Sequence, residues 1–96
     1  MTVKILIKRK VNADKAAAVS ELTKRLSTLV ISQPGYVSGE SLKNVENQDE
    51  YLVISTWEDM DAWKKWLASK ERATIQQQID TLLGVKTEYE VYQYGR

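Results

Sequence analysis

All three tryptophans of this 96-residue chain fall between Trp57 and Trp66. They sit where a β-branched run, Tyr51-Leu52-Val53-Ile54-Ser55-Thr56, gives way to a repeat of helical period, Met60-Asp61-Ala62-Trp63-Lys64-Lys65-Trp66-Leu67. A strand that runs so quickly into a helix this rich in ring surface has two outcomes. Either the rings form a densely packed core edge, or they wall a pocket for a flat aromatic ligand.

The rest of the chain supplies the partners such a junction needs. Thr2 to Val11 reads as a strand, with Val3, Ile5 and Ile7 alternating with Lys4, Leu6 and Lys8. Asn12 is placed to cap the helix that follows from Ala13, whose apolar stripe is Val19, Leu22, Leu26, Leu29 and Val30. Gln33-Pro34-Gly35 ends that helix, because proline disfavours α geometry in the residue before it. Tyr36 to Val45 is predicted as a second strand, Glu46 to Asp49 as a hairpin loop, and Glu50 to Trp57 as the third strand. Asp59 suits the N-cap of the second helix. Ser69 suits the cap of a further segment bearing Ile75, Ile79, Leu82 and Leu83, with Gly84 as a left-handed exit. Thr87 to Tyr94 gives the fourth strand.

The order is βαββαβ, and the expected architecture is α+β: a ferredoxin-like four-stranded antiparallel sheet with its helices on one face, in a single domain spanning residues 1–96. A sheet with one wet face should alternate cleanly between apolar and polar residues. Here Leu6 opposes Val3, Ile5 and Ile7, Leu52 and Ile54 oppose Tyr51 and Val53, and the fourth strand has tyrosines on both sides. The helices cover one face only, so the other is expected to meet a second copy of the sheet in a homodimer.

Composition narrows the chemistry. With 43% hydrophobic and 28% charged residues the chain is neither disordered nor fibrous, and a net charge of +1 gives no electrostatic footprint for nucleic acid. RNA-recognition motifs share the βαββαβ order, but the third strand here lacks their basic-Gly-aromatic signature, so no nucleic-acid partner is expected. No apolar run approaches the roughly 20 residues that span a bilayer, and Met1-Thr2-Val3-Lys4 does not open a secretion signal. No membrane association and a cytoplasmic location are the expectation. The chain has no cysteine and no histidine, which removes thiolate nucleophiles, iron–sulfur and zinc-ribbon sites, and the commonest neutral-pH general base. No cofactor is expected. Chemistry falls to carboxylates, tyrosines, lysines, arginines, amides or the substrate itself.

Gln33-Pro34-Gly35-Tyr36 opening the second strand, the third strand running into Trp57-Glu58, and the helix Ala62-Trp63-Lys64-Lys65-Trp66-Leu67-Ala68-Ser69 together resemble the antibiotic-biosynthesis monooxygenase family of small dimeric α+β barrels. The resemblance implies a homodimer whose sheets pack together, and a pocket between helices and sheet in each protomer. It also implies one of two activities: oxidation of phenol, quinol or polyketide-like substrates without metal or flavin, or haem degradation. The haem-degrading pattern needs an asparagine, a tryptophan and a histidine. Trp66 matches the tryptophan, but the other two positions fall near Lys8 and on Gln76, which disfavours that activity.

Three residues are the catalytic candidates. Trp63 lies at the centre of the helical stripe and is expected in the core, and Trp57 as packing at the strand end, whereas Trp66 lies toward the stripe's edge, where its indole can face a cavity. Arg72 and Gln76, one turn apart, border the stripe of Ile75, Ile79 and Leu83. Polar groups in that position commonly snorkel to water. Facing inward instead, Arg72 would stabilise a phenolate and Gln76 would orient a carbonyl or dioxygen. Lys8-Arg9-Lys10 reads as a solvated strand end, Asp61 as surface, and most of the five tyrosines as packing across the sheet or the dimer seam. The alternative function is a non-catalytic dimeric module that binds a small aromatic ligand.

Overall fold

A computed structural model describes residues 1–95. Four strands, β1 (Val3–Lys10), β2 (Tyr36–Lys43), β3 (Glu50–Trp57) and β4 (Glu90–Gln93), form one antiparallel sheet in the order β2-β3-β1-β4. Three helices, α1 (Ala16–Val30), α2 (Met60–Leu67) and α3 (Lys70–Leu83), complete the α+β ferredoxin-like fold. Among the described residues no helix is long and apolar enough to cross a membrane.

The strand register sets the two faces. Val3 pairs with Trp57, Ile5 with Ser55, Ile7 with Val53 and Arg9 with Tyr51, and these pairs look toward the helices. Leu6 pairs with Ile54 and Lys8 with Leu52 on the opposite side. The core gathers on the covered face, where Val3, Ile5, Trp57, Trp63 and Trp66 form one cluster flanked by Leu26, Leu29, Met60 and Leu67. On the bare face Leu42 is 47% and Tyr92 50% exposed.

Local chemistry explains where elements stop. The side chain of Asn12 makes no capping bond; the chain enters α1 through a 3₁₀ turn, Ala13–Lys15, in which the Asn12 carbonyl accepts from Lys15 N–H at 3.0 Å. That tighter turn satisfies the amide by backbone alone. Asp59 does cap α2, accepting from Ala62 N–H at 2.8 Å, Ser69 caps α3 through Arg72 N–H, and Gly84 leaves α3 at φ +70°. Gly35 has φ +84°, and a Cβ there would collide with the Cβ of Ala62, so only glycine lets the start of β2 press against α2. Glu58 N–H donates to the Gly35 carbonyl at 2.8 Å, locking that contact.

Three strands are shorter than their sequence pattern, β1 by one residue at each end. β2 stops at Lys43 rather than Val45 because Asn44 Oδ1 accepts from the amides of Glu46 and Asn47 and starts the hairpin turn early. β4 begins at Glu90 rather than Thr87 because Thr87 and Tyr89 are bonded to α3 instead of to the sheet.

Candidate active site

Because α1 packs mainly along α3, space remains between α1 and the sheet. The result is a cavity of about 520 Å³, inside the roughly 300–1,000 Å³ range of small-molecule sites. Its walls differ in kind.

One wall is aromatic. Trp57 ends β3 with 0% of its surface exposed, and its indole N–H donates to Ser55 Oγ at 3.1 Å. Trp66 stacks on it at 6.4 Å and 29° between planes, while Trp63 and Tyr36 meet it edge-on at 6.0 and 5.4 Å. Edge-on and offset arrangements are the favourable ones for aromatic quadrupoles. A Cβ at residue 39 would press on the Tyr36 hydroxyl, so Gly39 provides the room in which that phenol lies. Burial raises the Tyr36 pKa above its ordinary value. All three tryptophans border the cavity, including Trp57 and Trp63, which the sequence pattern assigns to packing alone.

The other wall is polar and comes from α3, β1 and the segment before β4. Arg72 and Gln76 do not snorkel outward: both are buried, at 8% and 6% exposure, and both line the cavity. Arg72 donates from Nε to the Leu67 carbonyl at 3.1 Å and from Nη1 to Tyr89 Oη at 2.8 Å. Gln76 Nε2 donates to Asp80 Oδ1 at 3.0 Å and to Thr87 Oγ1 at 2.8 Å, and Thr87 Oγ1 donates in turn to Asp80 Oδ1. Both amide hydrogens of Gln76 are thereby used within the protein. Burial alone would raise the Asp80 pKa, but the hydrogen bonds from Thr87 and Gln76 and the charge of Arg9 outweigh it and hold that pKa below its ordinary value.

Arg9 corrects an expectation. It is no solvated strand end: it is half-buried, lines the cavity, and donates from Nη2 to Gln76 Oε1 at 3.5 Å, while its buried Nε has no partner. Desolvation lowers its pKa, opposed by the nearby Tyr89 and Asp80. The signal that placed it was strand parity: Arg9 continues the Val3, Ile5, Ile7 series that faces the helices. The same parity, Thr87-Tyr89-Val91, places Tyr89 on the covered side. Among the described residues no cluster of acidic groups could hold a metal ion. The buried charge at the site is cationic, so the arrangement is suited to an anion beside an aromatic ring.

The profile of the family described as antibiotic biosynthesis monooxygenase matches residues 2–78. The chain belongs to that family. Among solved structures, a conserved protein from Methanosarcina mazei Go1 superposes with a TM-score of 0.91 at 18% identity, covering 99% of this chain and 94% of that one. SnoaB, a cofactor-independent oxygenase from Streptomyces nogalater, gives 0.86 at 20% identity, with coverage of 99% and 94%. Rv0793 from Mycobacterium tuberculosis gives 0.86 at 14% identity, covering 100% and 97%. At such identities the likeness is one of fold. No curated protein matches the sequence.

Proposed function

We propose that this family member is a cofactor-independent monooxygenase of an aromatic phenol or quinol, bound in the cavity between helices and sheet. The observation that carries this is Arg72, a guanidinium with 8% exposure that lines the same cavity as the three tryptophans and is held by a carbonyl and a phenol rather than by a carboxylate. A buried cation without an ion-pair partner favours the ionised form of a ligand that approaches it. The substrate's phenolic proton passes to solvent, the anion passes an electron to dioxygen, and recombination followed by return of a proton forms a hydroperoxide at a ring carbon that carries hydrogen. Loss of water from that carbon leaves a carbonyl. One oxygen atom stays in the product, the other departs in water, and the substrate supplies all the electrons. The protein's part is orientation, exclusion of water and a counter-charge.

In this scheme Trp66 stacks against the substrate ring and Arg72 faces the phenolate. Gln76, whose donors are engaged, steadies the polar wall instead of touching dioxygen. Oxygen uptake with a panel of quinols tests it. Wild type should outpace buffer with at least one quinol, and Arg72→Gln should lose about 10²-fold of that rate, the usual scale for one oxyanion-stabilising donor. Rates equal to buffer throughout, unchanged in Trp66→Ala, sink the catalytic proposal. Quenching of tryptophan fluorescence with no product would then support a binding module, a reading favoured by the engagement of both Gln76 donors within the protein.

The proposal includes a cytoplasmic homodimer joined through the bare sheet face, where Leu6, Leu42, Ile54 and Tyr92 form an apolar patch. Sedimentation should report twice the 11.0 kDa chain, and Ile54→Lys should shift it to the single chain. A wild-type particle of one chain at micromolar concentration rules the dimer out.

A further inference from the structure

Among the described residues, Arg9 Nε is the one buried side-chain donor left over once the polar wall is accounted for. It has no partner, and the Nη2 contact with Gln76 Oε1 is 3.5 Å, too long to be a firm bond. Nε–H and an Nη2 hydrogen lie on the same edge of a guanidinium, the edge that pairs with the two oxygens of a carboxylate. Arg72 has no such free edge, since its Nε is committed to the Leu67 carbonyl. The charges at this end are Arg9 and Arg72 against Asp80 alone, and Asp80 already accepts from Thr87 and Gln76. Lys24 and Glu40, which also border the cavity, are exposed and opposite in sign. Tyr89 accepts from Arg72 Nη1, which leaves its own O–H to be donated elsewhere in the same cavity. A buried end with excess positive charge, an open fork and a spare hydroxyl is incomplete without an anion.

We propose that Arg9 is a specificity-determining residue that recognises a carboxylate on the aromatic substrate, with the Tyr89 hydroxyl as a second donor, so that the preferred ligands are hydroxylated aromatic acids rather than neutral phenols. This rests on the aromatic-pocket function proposed above. Arg72 then faces the phenolic oxygen, and Arg9 fixes the other end of the ring system. Two anchored ends set which ring carbon lies nearest dioxygen.

The test uses a matched pair, a hydroxynaphthoate and the naphthol that lacks its carboxylate, titrated against intrinsic tryptophan fluorescence. Wild type should bind the acid about tenfold or more tighter, the worth of a charge-assisted hydrogen bond. Arg9→Gln should erase the preference, bringing the affinity for the acid down to that for the naphthol. Arg9→Lys, which keeps the charge but loses the fork, should retain only part of it. Thermal melts establish that each variant is folded; should Arg9→Gln fail to fold, Arg9→Lys decides, and a full preference there overturns the proposal. Equal wild-type affinities, or a preference that survives in folded Arg9→Gln, overturn it as well. Naphthol binding without any advantage for the acid removes this proposal alone. If neither ring quenches the tryptophans, the aromatic pocket falls too.

Discussion

The two walls of the cavity are held by different forces. The aromatic wall is a matter of shape: Trp57, Trp63, Trp66 and Tyr36 meet at centroid distances of 5.4–6.4 Å, and the single polar need of Trp57 is met two residues away by Ser55. Its energy comes from apolar area removed from water and from close packing. The polar wall is a matter of complementary donors and acceptors. Gln76, Asp80 and Thr87 meet in one hydrogen-bonded chain, and Arg9, from β1, lies at its edge with only a long 3.5 Å contact to Gln76 Oε1. The first wall can hold a flat ring but cannot tell one ring from another. The second can discriminate, because a ligand that fails to match buried donors leaves them unpaired.

The largest expected effect therefore lies in the aromatic wall. Trp57→Ala removes a fully buried side chain that three other rings touch, and no neighbour can close the gap. The loss should be about 3–5 kcal/mol, a large part of the stability of any small domain. Urea denaturation reads it as a shift in midpoint with little change in slope. A loss below about 1 kcal/mol would mean that the wall relaxes, contrary to packing by shape.

A smaller effect is expected from Gln76→Leu, which keeps side-chain volume but strips Asp80 and Thr87 of a donor. Groups left buried without partners should cost about 1–3 kcal/mol. A double-mutant cycle with Thr87→Val separates shared from independent contributions: a coupling energy near zero would show that Gln76 and Thr87 do not act as a unit. A neutral or stabilising Gln76→Leu would show that burial of an apolar side chain outweighs the hydrogen bonds.

The aromatic wall was legible in the sequence, and the polar wall was half legible, for a physical reason. Helix and strand periodicity are local, so the run from Tyr51 to Leu67 announces its own strand, cap and stripe, and Asp59, Ser69 and Gly84 act where the pattern places them. The polar wall is assembled across the chain. Arg9 and Gln76 are 67 positions apart, and nothing near Arg9 in sequence distinguishes it from Lys8 and Lys10 except the parity of the strand. Arg72 and Gln76 were visible as polar residues bordering a stripe, yet their inward direction depends on Tyr89, Thr87 and Arg9 meeting them there. The early ends of β2 and β4 have the same origin, since a side chain of Asn44 and the α3 contacts of Thr87 and Tyr89 compete with the sheet.

The smallest expected effect is also the one that most directly tests charge in the polar wall. Asp80 has a folded-state pKa below its ordinary value, so the folded chain binds this proton less readily than the unfolded chain. Its contribution to stability is then complete above the ordinary aspartate value near 4 and disappears as pH falls through the lower folded value. Asp80→Asn keeps an oxygen to accept from Gln76 and Thr87 but removes the charge. At about pH 7 it should cost less than about 1 kcal/mol, because Asp80 is only partly buried and solvent screens it. The gap between wild type and variant should narrow as the pH is lowered below the ordinary aspartate range and the wild-type carboxylate takes up its proton. Urea midpoints at neutral pH and through the acid range measure this. A gap that widens on acidification would mean that Asp80 is held protonated rather than ionised, and the excess of positive charge at this end of the cavity would be larger than one guanidinium.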